Sequence, residues 1–317
     1  MRRELFVREA GPMTTVQDSG RRGYLRFGVS ASGPMDAAAF AIANALVGNG
    51  PGAACLEFAL TGGSFELSRP ARLAVTGGSL EIVVDGRRVP AWRAFHARAG
   101  ARITLGALRD AVWGYLAVSG GIDTVPVMGS RATHLRSGLG GLDGRSLRPG
   151  DVLPLGEESG APLLALARPF RPRSAPIHVV PGPQAHFFDA DAWRSLTREP
   201  FRVTSKRDRM AMILEGPLLS SARGHDIVSD GTVMGSIQIP PSGHPVILMA
   251  DRQTTGGYAK IATVITCDIG RLAQTVSRDP IAFRPIAPEA AIAYEREARM
   301  RLREAISDLS PAPEPRT

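Results

Sequence analysis

Short runs in which apolar and polar positions alternate recur along most of the chain. The first series comprises Leu5–Glu9, Cys55–Leu60, Phe65–Ser68, Arg72–Thr76, Leu80–Val84, Arg102–Leu105 and Trp113–Val118. A period of two over four to seven residues is the signature of a half-buried strand. Asp85-Gly86, directly after Ile82-Val83-Val84, predicts a tight hairpin. One helix interrupts the series. Gly33-Pro34-Met35-Asp36 supplies an early proline and an acid, Phe40, Ile42, Ala43, Leu46 and Val47 supply an apolar face, and Gly48 supplies the stop. The pattern predicts a β-barrel or sandwich with a covering helix, not alternating βαβ units.

Pro162–Pro176 holds four prolines without periodicity and is predicted to be a linker. A second strand-rich series follows: Ile177–Val180, Phe201–Thr204, Met210–Glu215, Ser236–Ile239, Val246–Met249, Ile261–Cys267 and Ile281–Phe283. Glu289–Leu309 has the spacing of an amphipathic helix, with Ile292, Leu302, Ile306 and Leu309 available for docking. The expected organisation is therefore a β-rich domain over 1–161, a linker over 162–176, a second β-rich domain with a C-terminal helix over 177–309, and a loose tail over 310–317.

At 317 residues, 44% hydrophobic and 21% charged, the chain has material for two cores and no sign of disorder. Its longest apolar run, around Ala37–Gly48, is too short to span a bilayer and contains Asn44. The N-terminus runs straight into an alternating stretch rather than a signal-peptide core, so a cytoplasmic location is expected. Cys55 and Cys267 lie far apart in unrelated contexts and predict two free, buried thiols. The net charge of +8 invites a nucleic-acid reading, but the basic residues are interspersed with acids and aromatic content is only 6%. The charge matters in another way: of 38 basic residues, only Lys206 and Lys260 are lysine. In a chain that writes positive charge as arginine, a lysine marks a place for a compact ammonium.

Several chemistries lack their motif. There is no G-x-x-x-x-G-K-[ST] loop, no G-x-S-x-G elbow, and no metal-ligand spacing among the six histidines. Gly138, Gly140, Gly141 and Gly144 do not sit between a strand and a helix; they predict a tight loop, or an anion-binding loop flanked by Arg131, Arg136, Arg145 and Arg148. Denser polar segments are Thr14–Arg21 with Ser32–Asp36, Asp208-Arg209 ahead of Leu214-Glu215-Gly216-Pro217, and Gly235–Pro241. The densest is Asp251-Arg252-Gln253-Thr254-Thr255-Gly256-Gly257-Tyr258-Ala259-Lys260, set between the apolar runs Val246–Met249 and Ile261–Cys267. A plain turn does not need such chemistry. Two glycines permit close approach to a ligand, Gln and Thr suit a carboxamide or ureido group, and Asp and Lys suit proton transfer or charge stabilisation.

On TTVQDSGRRGY, SGPMDAAAFAIANALVGN, YLAVSGGID, MGSRATHLRSGLGGLDGRSLRPGD, DRM…LEGP, GSIQIPPSGHP and DRQTTGGYAKIATVI, the chain resembles the biotin-dependent carboxyltransferase subunit family, also described as allophanate hydrolase subunit 2 or KipA-like. Within it, the 5-oxoprolinase type is the nearest likeness. The resemblance covers about residues 5 to 290. Ala259 and Met234-Gly235-Ser236 depart from the usual Pro and Pro-Gly-Ala, and Ala211 from the usual Gly, while the polar residues are kept. The resemblance implies two β-rich subdomains, the second a cyclophilin-like β-barrel carrying or bordering the ligand cleft. It implies a KipI-like 5-oxoprolinase subunit and a LamB/YcsF-type subunit as partners, with ATP spent by the complex to open 5-oxoproline to glutamate. The alternatives are carboxyl transfer from carboxybiotin to urea or a similar amide, or a regulatory KipA-like role. Neither lysine has a biotinyl context, so no biotin on this chain is expected, and no metal. Under this likeness Lys260, Asp251 and Arg209 are the expected catalytic residues. Gln238, Arg252, Gln253, Thr254, Thr255, Gly256, Gly257 and Tyr258 are the expected substrate contacts.

Overall fold

A computed structural model describes residues 2–170 and 176–312. The chain forms two compact units that are not simple halves of the sequence. The first takes residues up to Arg21, Ser32 to Arg171 and Leu302 onward; the second takes Arg22–Ala31 and Pro172–Arg301. Residues 171–175 of the expected linker and 313–317 of the expected tail lie outside the described residues. Within the first unit, Leu164–Ala165 pairs antiparallel with Ser310–Pro311, so two residues read as tail are held in a short ladder. Among the described residues, no helix is long and apolar enough to cross a membrane.

The first unit is a β-sandwich. One sheet runs Val152–Pro154, Glu4–Ala10, Gly63–Leu67, Arg102–Leu105, Ile82–Val84 and Arg87–Val89; the other runs Thr15–Gln17, Cys55–Ala59, Trp113–Val118, Ala71–Thr76 and Ala94–Ala97. Leu5, Val7, Phe65, Ile103, Leu56, Phe58, Leu73 and Leu116 from the two sheets form one core. The Ile82–Val89 hairpin turns at Asp85-Gly86, both with positive φ, as the sequence predicts. Every residue of Trp113–Val118 and Ala71–Thr76 is buried, because the helix Ala37–Leu46 packs on them. Asp36 caps that helix, its carboxylate accepting from the amides of Ala38 and Ala39 (3.1 Å each).

The second unit is built on an eight-stranded sheet: Pro280–Ile281, Phe201–Arg207, Ala211–Glu215, Val246–Leu248, Ser236–Gln238, Lys260–Val264, Ile177–Pro181 and Phe283–Pro285. Its two edge strands, Pro280–Ile281 and Phe283–Pro285, are separated by Ala282 alone, so the sheet curls nearly onto itself. This is the expected barrel. A separate two-stranded ribbon pairs Asp226–Gly231 with Thr255–Tyr258.

Three expectations need correction. The apolar run Ile261–Cys267 is not all strand: the ladder ends at Val264 and Thr266–Gln274 is a helix. Cys267, on that helix, is half-buried rather than buried. The C-terminal helix, Pro288–Ser307, has no buried residue; Ile292 is 54% exposed, and Leu302 and Ile306 are half-buried.

Candidate functional site

Asp208 starts the local geometry of the site. Its carboxylate accepts from the amides of Met210 (2.7 Å) and Ala211 (3.0 Å), an Asx-type turn into the strand Ala211–Glu215. The turn directs Arg209 inward. Beyond the pairing of Ala211 with Leu248, the ladder continues as Met249 N–H to Met210 carbonyl (2.8 Å) and Asp251 N–H to Arg209 carbonyl (2.7 Å). Arg209 then donates through Nε and Nη2 to the two oxygens of Asp251, at 2.9 and 3.0 Å, with both side chains buried. The result is a bidentate, desolvated ion pair. Arg252 follows it, also buried. Burial pulls its guanidinium below the usual arginine value, and its Nε has no hydrogen-bond partner among the described residues.

Lys260 belongs to a different part of the sheet. Gln238 pairs with Lys260 and Ile237 with Ala262, so Ile261 is the extra residue of a bulge. A bulge re-aims a side chain out of strict alternation, and here both Lys260 and Ile261 are buried. The Lys260 carbonyl is approached so closely by Gly182 that a Cβ there would meet it at 2.3 Å. Gln184, just beyond, accepts from the Lys260 amide (3.2 Å) and donates through Nε2 to Asp230 Oδ2 (3.4 Å). Asp230 Oδ2 also lies 3.4 Å from Lys260 Nζ. The Asp230 carboxyl is held below its usual value, chiefly by the hydrogen bond from the Gly231 amide, then by Gln184 and the Lys260 charge.

Gln238 connects the two regions. Its Oε1 accepts from Gln253 Nε2 (3.3 Å), and its own Nε2 makes a long contact with the Tyr258 carbonyl (3.5 Å). Thr232 anchors the same segment, donating from Oγ1 to the Gln253 carbonyl and from its amide to the Thr254 carbonyl (3.0 Å). Gly256 lets the ribbon cross this amide, since a Cβ there would fall 2.5 Å from Gln238 Nε2; at Gly257 a Cβ meets nothing closer than 3.6 Å. Thr255 and Tyr258 lie on the ribbon with their side chains exposed.

The expected residues thus divide into two groups. Arg209, Asp251 and Arg252 lie where the chain turns after Leu248, whose carbonyl accepts from Gly235; Lys260 lies at the Gln238 end of the same strand. Gln253 and Gln238 join them. Asp230, Gln184 and Thr232 were missed by sequence reasoning. Asp230-Gly231 has the signature of an ordinary turn, and Gln184 sits in a Pro-Gly-Pro-Gln loop with no periodicity.

The polar segments of the first unit are spent on structure. Asp18 accepts from Gly20, Ser130 Oγ and the Arg131 amide; Gln17 ties Thr15, Thr133 and Gly33; and Tyr115 donates to Glu57 (2.7 Å) while accepting from the Asp36 amide. The glycine loop lines an open cleft of about 1240 Å³ with Arg2, Arg3 and Arg69, but also Asp123, Asp143 and Glu157. Two of the arginines expected to flank an anion, Arg131 and Arg145, are paired with Asp123 and Asp151. Gly140, Gly141 and Gly144 have positive φ, and a Cβ at any of them would overlap the protein itself at 2.0–2.2 Å. Their freedom serves packing.

A family model described as "Carboxyltransferase domain, subdomain A and B" matches residues 27–285. The chain is 39% identical over 289 residues to the C subunit of 5-oxoprolinase from Escherichia coli, covering 91% of this chain and 93% of that protein. It is 34% identical to the C subunit of 5-oxoprolinase from Haemophilus influenzae, covering 89% of this chain and 91% of that protein. Among solved structures, urea carboxylase of Kluyveromyces lactis superposes with a TM-score of 0.85 at 26% identity, covering 95% of this chain but 29% of that protein.

Proposed function

The chain belongs to the carboxyltransferase-domain family of subdomains A and B, and from that premise we propose that it is one subunit of an ATP-dependent 5-oxoprolinase. In this reading it opens 5-oxoproline to glutamate together with a KipI-like subunit and a LamB/YcsF-type subunit. The observation that carries the reading is extent. The similarity to the C subunit of the E. coli 5-oxoprolinase covers both proteins almost end to end, whereas the likeness to urea carboxylase occupies under a third of that larger chain.

Opening a lactam breaks the ring C–N bond, adds water across it, and leaves an amine and a carboxylate. Negative charge gathers on the carbonyl oxygen as the bond is attacked, and a fixed positive group in a dry setting lowers that barrier. Arg252, a buried guanidinium whose Nε has no hydrogen-bond partner among the described residues, suits such a role. Lys260, a compact buried ammonium, suits the binding of charge the substrate already carries. Gln238 and Gln253, already exchanging one hydrogen bond, offer amide donors and acceptors matched to an N–C=O group. Arg209 and Asp251 satisfy one another, which suits them to fixing the turn that carries Arg252 and Gln253 rather than to moving a proton. ATP consumption is assigned to the complex as a whole.

The test is reconstitution of the three subunits, with ATP turnover followed with and without 5-oxoproline. Turnover that depends on 5-oxoproline, and is lost in Lys260→Ala while the variant stays folded and partner-bound, supports the reading. Turnover only with carboxybiotin and urea would transfer the chain to the second reading, carboxyl transfer, with which the shared fold with urea carboxylase is compatible.

A further inference from the structure

Lys260 is a costly residue for a fold to keep. Its side chain is 1% exposed, and its ammonium makes no hydrogen bond to any described residue. An ammonium carries three donors, and a buried cation is tolerated when those donors are filled. Among the described residues, the one acidic group within 4 Å of it is Asp230, with Oδ2 at 3.4 Å, and that contact lacks hydrogen-bond geometry. A lysine kept for packing alone gains nothing from this arrangement, because the same aliphatic stem ending in a methyl would avoid the desolvation cost.

Asp230 differs in kind from its partner. It is 51% exposed and sits on the ribbon Asp226–Gly231, whose register slips between Asp226 and Asp230. Its Oδ1 is engaged by the Gly231 amide (2.7 Å), while Oδ2 is shared between Gln184 Nε2 and Lys260 Nζ, both at 3.4 Å. The carboxylate therefore lies over the lysine at the outer limit of contact, on the solvent side, supported by one side-chain amide. A ligand carboxylate at ordinary charge-assisted distance would satisfy the ammonium better than Asp230 does.

We propose that Lys260 is the recognition point for a carboxylate group on a small-molecule ligand, and that Asp230, steadied by Gln184, occupies that place until the ligand displaces it. The inference rests on the 5-oxoprolinase reading for one detail only, that the carboxylate is the one carried by 5-oxoproline. Asp230 is then a specificity-determining competitor: it sets how tight a carboxylate must bind to enter, and it excludes neutral amides from any benefit of the lysine charge.

The experiment is calorimetric titration of the full chain and its Asp230→Asn and Lys260→Met variants with three probes. These are 5-oxoproline, its uncharged counterpart 2-pyrrolidinone, and acetate. The wild-type chain is expected to bind 5-oxoproline about tenfold more tightly than 2-pyrrolidinone, the scale of one charge-assisted hydrogen bond. Asp230→Asn should tighten 5-oxoproline and acetate several-fold, leaving 2-pyrrolidinone unchanged. Lys260→Met should erase the preference for the charged probe, with circular dichroism confirming the fold. Asp230→Asn, at a half-exposed position, tests the proposal even where Lys260→Met fails to fold. Equal binding of 5-oxoproline and 2-pyrrolidinone in all folded proteins overturns the carboxylate site and leaves the 5-oxoprolinase reading standing. Acetate binding that tightens in Asp230→Asn, with 5-oxoproline no better than acetate, upholds the site and removes 5-oxoproline as its ligand. Carboxylate binding that is absent, or that weakens in Asp230→Asn, overturns the proposal.

Discussion

Removing the carboxylate of Asp251 tests the division of labour within the site. In Asp251→Ala, Arg209 loses both carboxylate acceptors, at 2.9 and 3.0 Å, in a setting where its side chain is 2% exposed. Water cannot replace them without opening the turn, so the guanidinium loses its two bonds to Asp251 while still desolvated. Breaking one partner of a buried pair costs about 3–5 kcal/mol. Against a typical total of about 5–15 kcal/mol, that is a large share of the stability of the unit. Urea denaturation followed by circular dichroism should show the transition of the second unit moving to markedly lower urea. The double variant Arg209→Met/Asp251→Leu removes both charges while keeping apolar volume, and should recover at least half of the loss. If Asp251→Ala costs under about 1 kcal/mol, the pair is not the desolvated brace described above. If the double variant costs the sum of the two single changes, the two residues act independently and the reasoning fails.

Other outcomes follow from the same structure. Gly256→Ala should push Gln238 aside and weaken ligand binding, because its Cβ would lie 2.5 Å from Gln238 Nε2, whereas Gly257→Ala should be nearly silent; paired titrations compare them. Tyr115→Phe should cost about 1–3 kcal/mol in thermal unfolding, since it removes the donor to Glu57 and the acceptor for the Asp36 amide. The hydrogen bonds from Arg145 hold the Asp151 carboxyl below its ordinary 3.8. Its folded pKa being depressed, the stability it contributes is complete above that ordinary value and is lost as pH falls through the lower folded one. Asp151→Asn should flatten the fall in melting temperature over that acid window. Burial pushes the Cys55 thiol well above its usual range, and Cys267, by burial and then Asp268, up to about 11. A thiol reagent near pH 8 should therefore modify Cys267 slowly and Cys55 only on unfolding, as mass spectrometry would show.

Strands whose burial comes from apolar packing were legible in the sequence, because alternation survives wherever one face meets a core. Thr15–Gln17 was not: it is fully buried yet polar, held by hydrogen bonds to residues more than a hundred positions away. The helix Thr266–Gln274 was absorbed into the preceding apolar run because its N-cap, Ile265, carries no capping side chain to announce it. The C-terminal helix had readable periodicity, but periodicity does not tell how deeply a face is buried. In the site, the rarity of lysine and the density of polar types marked Asp251–Lys260 from composition. The partners that give Lys260 its environment, Asp230 and Gln184, come from distant segments whose local signal is that of a turn and a loop.

The ladder between Leu164–Ala165 and Ser310–Pro311 has a consequence for how the protein is made. A ribosome delivers residue 165 long before residue 310, and the whole barrel lies between them in the order of synthesis. The sandwich can assemble its two main sheets as they emerge, all of whose strands are complete by Pro154. This last pairing must wait until Ser310 and Pro311 have left the tunnel. A nascent chain halted after the barrel would thus carry Leu164–Ala165 without its partner strand, an open edge for a chaperone to hold until residues 310 and 311 emerge.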